Sequence, residues 1–165
     1  MQIKSEPAML SLGEFFAAHL DIPAIFELIG DVGTGKTTFT RGLATGLGVT
    51  EPVTSPSFTI SKRYAFPLPD KCCKNYNISS GQTGELIHYD FYRLGDPGIM
   101  RDELAEALSE PQNIIVVEWG DDVADLLPDS RYRLELSLNA DGTRTIRGNS
   151  AAQKILDQFQ KEPAS

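Results

Sequence analysis

The sequence predicts an α/β protein with a mainly parallel central sheet, flanked by helices and closed by an antiparallel C-terminal hairpin. Three observations carry this. The apolar run Ala24–Ile29 leads into a glycine-rich segment and then a helical pattern, the order of a βα unit. Two further β-type runs, Glu85–Phe91 and Asn113–Glu118, are separated by a helical stretch near Arg101–Ser109. Finally, Arg131–Leu138 and Thr143–Arg147 flank Asn139-Ala140-Asp141-Gly142, whose Asp-Gly step favours a tight reversal.

Taken in order, Ser11-Leu12-Gly13-Glu14 reads as a capping box opening a helix through about Leu20, with Leu12, Phe15, Phe16 and His19 near one stripe and Pro23 closing it. Ala24–Ile29 is continuously apolar apart from Glu27, as a strand covered on both faces tends to be. A helix follows from Lys36 to about Leu47, with Gly48 as its left-handed terminator. Thr54–Tyr64 mixes β-formers with Pro56 and is expected to be a loop entering a strand. Residues 65–84 carry prolines, asparagines and two cysteines with no period, and are expected to form a surface excursion of about 20 residues. A last amphipathic helix is expected over Ser150–Gln160.

The 165 residues suit one domain spanning 1–165, and 41% hydrophobic with 23% charged residues excludes wholesale disorder. Lys plus Arg number 15 against 23 Asp plus Glu, a net charge of −8 that disfavours direct capture of nucleic acid or an anionic membrane. No apolar stretch nears the roughly 20 residues of a membrane span. Met1-Gln2-Ile3-Lys4-Ser5-Glu6-Pro7 has no signal-peptide core, so a cytoplasmic location is expected. Adjacent Cys72 and Cys73 suit neither a structural disulfide nor a zinc site.

The chemistry centres on Gly30-Asp31-Val32-Gly33-Thr34-Gly35-Lys36-Thr37, which fits G-x-x-x-x-G-K-[ST] between a strand and a helix, the context this phosphate loop requires. Its glycines let successive N–H groups converge on one centre, and the helix start adds its positive dipole end. Asp31, Val32, Gly33, Thr34, Gly35, Lys36, Thr37 and Thr38 are therefore the candidate nucleotide-binding residues. Lys36 would reach the β- and γ-phosphates, Thr37 would ligate Mg²⁺, and Thr38 would meet the α-phosphate. The expected class is a P-loop NTPase. Such a site also needs an acid for the metal and a group that orients water. Asp90 and Glu118, each at a strand's carboxyl end, are the candidates, and sequence does not divide the two roles between them. Trp119, the only tryptophan, would stack on a base, exclude water or simply pack. Ser55, Ser57 and Thr59 lie where a switch segment would meet the γ-phosphate.

Other features carry less. His19 and His88 receive no chemical role. The fragment Ser79-Ser80-Gly81-Gln82 resembles part of a transporter-ATPase signature, but the chain has no room for the accompanying helical subdomain. Without Asn-Lys-x-Asp a GTPase is disfavoured. The alternative of a small-molecule kinase would draw its lid from Arg131, Arg133, Arg144 and Arg147, for which solvent-facing hairpin positions are explanation enough. A nucleotide-gated binding module without hydrolysis is a third possibility.

Gly30–Gly42 resembles the phosphate loop of the bacterial TsaE (YjeE) ATPases. The similarity continues through Ser55-Pro56-Ser57-Phe58, His88-Tyr89-Asp90-Phe91-Tyr92-Arg93-Leu94, Val117-Glu118-Trp119 and Leu127-Pro128-Asp129. That resemblance implies a small Mg²⁺-dependent ATPase of tRNA threonylcarbamoyladenosine modification. It would act on a TsaB–TsaD transferase complex, resetting it between turnovers, and reach tRNA only through those partners. It also implies that Lys36 and Thr37 hold phosphate and Mg²⁺, that Asp90 and Glu118 serve metal and hydrolysis, and that Trp119, Glu6 and Gly142 border the nucleotide. The chain departs from the family pattern at Gly120, where proline is usual, at Ser57, where threonine is usual, and in the length of 65–84.

Overall fold

A computed structural model describes residues 1–56, 59–68, 83–92, 94 and 98–162. In chain order the elements are β1 (Gln2–Ile3), α1 (Glu6–His19), β2 (Ala24–Ile29), α2 (Lys36–Leu47), β3 (Ser61–Pro67), β4 (Thr83–Asp90), α3 (Gly98–Ser109), β5 (Asn113–Glu118), β6 (Tyr132–Leu138), β7 (Arg144–Gly148) and α4 (Ser150–Phe159), with a 3₁₀ turn at Gly120–Val123. The strands form one sheet in the order β1-β7-β6-β2-β5-β4-β3. Its centre, β6-β2-β5-β4, is parallel throughout, whereas β3 and the β7–β1 pair join the two edges antiparallel. The mixed α/β class, the parallel centre and the closing hairpin are as expected, and Asn139 closes that hairpin by donating to Thr143 O at 2.8 Å.

Two expectations are corrected. Helix α1 starts at Glu6, not Ser11: Ser5 is its cap, accepting from Ala8 N at 3.2 Å, and Pro7 sits in the first turn. Proline is tolerated there because the N–H it lacks would have no intrahelical partner anyway. Residues 65–67 belong to β3 and 83–84 to β4, paired antiparallel with Ala65 opposite Glu85, so the supposed excursion begins and ends as sheet. Residues 69–82, with Cys72, Cys73 and Ser79–Gln82, lie outside the described residues, as do Ser57, Phe58 and Arg93. Strand β1, which carried no signal in the sequence, pairs Gln2 with Thr145 and Ile3 with Arg144.

The sheet buries both faces. On one, Phe16 of α1, Phe39 of α2 and Phe26 of β2 pack at ring separations of 5.3–5.9 Å, joined by Leu28, Leu86 and Val116 and by Leu156 of α4. Helices α1 and α2 approach until a Cβ on Gly42 would stand 2.1 Å from Leu10 O, so glycine is required at that crossing. On the other face, Ile87, Tyr89, Ile115 and Val117 meet Leu104 of α3 and Val123. Because β2, β4 and β5 run parallel, their carboxyl ends (Ile29, Asp90 and Glu118) open on the same edge, where ligands collect in sheets of this kind.

Candidate functional site

The β2–α2 connection wraps over that edge. Gly35 caps α2 with φ 102°, a left-handed conformation that glycine adopts without strain, and no side chain caps the first turn. The amide end of α2 therefore faces a cleft of about 300 Å³, lined on this side by Val32, Gly33, Gly35, Lys36, Thr37 and Thr38. Thr34 instead turns inward, its hydroxyl donating to Asp31 O at 2.8 Å, and neither it nor Asp31 lines the cleft. The loop is thus tied to itself at Asp31 O, which also accepts from Thr34 N at 3.3 Å.

Lys36 is 4% exposed. Its ammonium donates to Gly30 O at 2.6 Å and Asp31 O at 3.1 Å, stands 3.8 Å from Glu118 Oε2, and lies 4.7 Å from the centre of the Trp119 ring. Thr37 Oγ1 donates to Glu118 Oε1 at 3.4 Å. Asp90 faces the same cleft, with Oδ2 accepting from Ser55 Oγ at 3.1 Å and Oδ1 from Tyr92 N at 3.0 Å. Trp119 takes a left-handed backbone conformation (φ 57°), uncommon for a large side chain, and its ring packs on Tyr92 at 4.9 Å. That unusual turn aims the indole at Lys36 immediately after β5 ends.

The structure therefore brings Lys36, Thr37, Thr38, Ser55, Asp90, Glu118 and Trp119 to one cleft. Thr59 bonds locally instead, to Pro56 O and Ser61 O, and does not line it. Glu6 lies in the first turn of α1, its carboxylate 3.8 Å from Arg41, and Gly142 sits in the β6–β7 turn; neither lines the cleft.

Besides Tyr92, which lines the cleft and meets Asp90 and Trp119, two residues without an expected role belong to the site. Arg144, read from sequence as solvent-facing, lines the cleft and donates from Nη1 to Gly142 O at 3.4 Å. His88 is fully buried and places Nε2 2.9 Å from Glu118 Oε1. Strand alternation was the available signal, since Leu86, His88 and Asp90 must share one face of β4.

On the sheet face that α3 covers, Tyr89 ties β4 to α3 by donating to Glu103 Oε1 at 3.3 Å; burial, and then the nearby Glu103 carboxylate, push its phenol above the ordinary range. Arg101 on α3 pairs with Asp125, and that hydrogen bond holds the Asp125 carboxyl below its ordinary value.

Chemically, the Thr37 hydroxyl and the Glu118 and Asp90 carboxylates are hard oxygen donors of the kind Mg²⁺ prefers. Among the described residues, no group of three or more His, Cys, Asp or Glu side chains is placed to hold a metal.

The sequence model of the family "Threonylcarbamoyl adenosine biosynthesis protein TsaE" matches residues 3–146, from β1 into β7. The chain belongs to the TsaE family. It is 36% identical over 128 residues to the tRNA threonylcarbamoyladenosine biosynthesis protein TsaE of Streptomyces coelicolor, covering 78% of each chain. It is 34% identical over 136 residues to TsaE of Bacillus subtilis (82% and 75% covered), and 31% identical over 165 residues to that of Haemophilus influenzae (95% and 94%). The crystal structure of YdiB from Bacillus subtilis superposes with a TM-score of 0.68, covering 98% of this chain and 93% of that one at 24% identity, a likeness of fold. The P-loop NTPase fold fits this architecture, and TsaE membership places the chain in tRNA threonylcarbamoyladenosine biosynthesis. Among the described residues, no helix is long and apolar enough to cross a membrane.

Proposed function

We propose that this TsaE chain is a Mg²⁺-dependent ATPase that sustains turnover of a TsaB–TsaD-type transferase complex and meets tRNA only through those partners. The observation that carries the ATPase reading is the convergence of one ammonium, one hydroxyl and one carboxylate at the open amide end of α2: Glu118 stands 3.8 Å from the Lys36 ammonium and 3.4 Å from the Thr37 hydroxyl. Lys36 exchanges the carbonyls of Gly30 and Asp31 for phosphate oxygens as a triphosphate enters, and the first-turn amides of α2 take the remaining oxygens. The bound metal would be held by Thr37 with Glu118 and Asp90, and would neutralise charge on the phosphates. Trp119 covers the ammonium and keeps water from it, which strengthens its field at the phosphates.

The partner reading rests on the family resemblance and on the net charge of −8, which suits a protein that reaches tRNA through others. Reconstituted tRNA modification over many turnovers, with and without this chain, tests it. Yield per transferase is expected to rise well above one only when the chain and ATP are both present. An unchanged multi-turnover yield on omission contradicts the partner role, and absence of ATP-dependent phosphate release from the full mixture contradicts the ATPase.

A further inference from the structure

His88 is a polar side chain in a place where an apolar one would serve packing better. It is fully buried on β4, in register with Val116 of β5 and Lys62 of β3. Its two ring nitrogens meet opposite fates. Nε2 lies 2.9 Å from Glu118 Oε1, whereas Nδ1 is buried and has no hydrogen-bond partner among the described residues. With a carboxylate as acceptor, a ring proton belongs on Nε2, where it can be donated to Glu118. A buried polar atom without a partner works against folding, so what the fold gains from this residue is the Nε2 contact.

That contact is the shortest one Glu118 makes to a side chain; Thr37 Oγ1 stands at 3.4 Å and Lys36 Nζ at 3.8 Å. The geometry points to His88 as a positioning residue: its Nε2–H anchors Glu118 Oε1 from inside the sheet and fixes the carboxylate plane so that Oε2 is presented to Lys36 and Oε1 to Thr37. It acts on the reaction through Glu118 and touches no phosphate itself. An unanchored glutamate at a strand end would rotate among several side-chain conformers, each aiming its oxygens elsewhere. Groups that orient a ligating side chain in this way matter nearly as much as the ligand itself. This inference rests on the reading of the cleft as a Mg²⁺–ATP site.

The test compares His88→Leu, which removes the donor, with His88→Gln, whose amide nitrogen can reach the same acceptor. For His88→Leu, kcat for ATP is expected to fall about 10–100-fold, the usual range for such second-layer groups, with KM little changed and no loss of melting temperature. His88→Gln is expected to recover most of that kcat. Retention of kcat by His88→Leu, or equal failure of both variants, overturns the assignment. Failure of the wild-type chain to hydrolyse ATP overturns instead the reading of the cleft. The anchor is then judged alone by ¹⁵N NMR of the imidazole, where a protonated Nε2 whose resonance moves in Glu118→Gln is expected. A proton on Nδ1, or a resonance that Glu118→Gln leaves in place, overturns it.

Discussion

Two glutamates are buried to nearly the same degree on neighbouring parallel strands, yet they are held in different ways. Glu27 on β2, 4% exposed, shares its face of the sheet with Ile25 and Val117 and accepts from Arg131 Nε at 2.6 Å, with Arg133 Nε at 4.0 Å. Glu118 on β5, 3% exposed, looks to the opposite face and is shared among His88, Thr37 and Lys36 at 2.9, 3.4 and 3.8 Å. The first carboxylate is closed by a short, dedicated ion pair and ties the start of β6 to the sheet. The second is anchored on one oxygen and otherwise loosely met, at the mouth of a cleft. A buried acid with one tight partner is a structural tie; one with several looser partners beside a phosphate loop can exchange them for a ligand.

Breaking the tie is expected to give the largest effect. Arg131→Met strands Glu27 with only the more distant Arg133, which should lower unfolding free energy by about 3 kcal/mol, the low end of the range for a broken buried pair. Chemical denaturation reads this, while ATP turnover per folded molecule stays at the wild-type level. Glu118→Gln should do the reverse. Turnover is expected to drop by at least about 100-fold, beyond what loss of an orienting neighbour produces, with little change in the denaturation midpoint. If Glu118→Gln unfolds the chain instead, the two glutamates are alike and the contrast fails.

How much of this was legible in the sequence follows from the range of the interactions involved. Strand β2, the loop and α2 were readable because glycine, lysine and hydroxyl positions are set by local geometry around a phosphate. The boundary of α1 was misplaced because Ser11-Leu12-Gly13-Glu14 matches a capping box in the middle of the helix, whereas the cap is Ser5 with Pro7 in the first turn. Strand β1 is two residues whose partner lies more than 140 positions away, beyond any local pattern. His88 shares its strand face with Asp90, so its placement was available from alternation, but its partner Glu118 is 30 residues distant and only the β4–β5 register joins them. Arg144 was given to solvent because a hairpin offers two faces, and sequence did not show that one of them overhangs the loop.

Smaller effects sharpen the contrast. Ser55→Ala removes one donor to Asp90 and should reduce turnover by about tenfold or less, the scale of a single hydrogen bond, as read by steady-state phosphate release. Smallest of all is Asp125→Asn on the exposed Arg101 pair. Because the folded state depresses the Asp125 pKa, the pair contributes above the ordinary carboxylate range, and its contribution disappears as pH falls through the folded-state value. A slight melting-temperature deficit of Asp125→Asn near neutral pH should therefore vanish in acid, with turnover unaffected throughout.

The most direct measurement is calorimetric titration of the folded chain with ATP in the presence of Mg²⁺, alongside Lys36→Ala. Saturable heat with a stoichiometry near one is expected for the wild type and none for the variant, since Lys36 is the only ammonium lining the cleft among the described residues. No heat from a demonstrably folded wild type, or equal heat from Lys36→Ala, would contradict the assignment of this cleft to a nucleoside triphosphate.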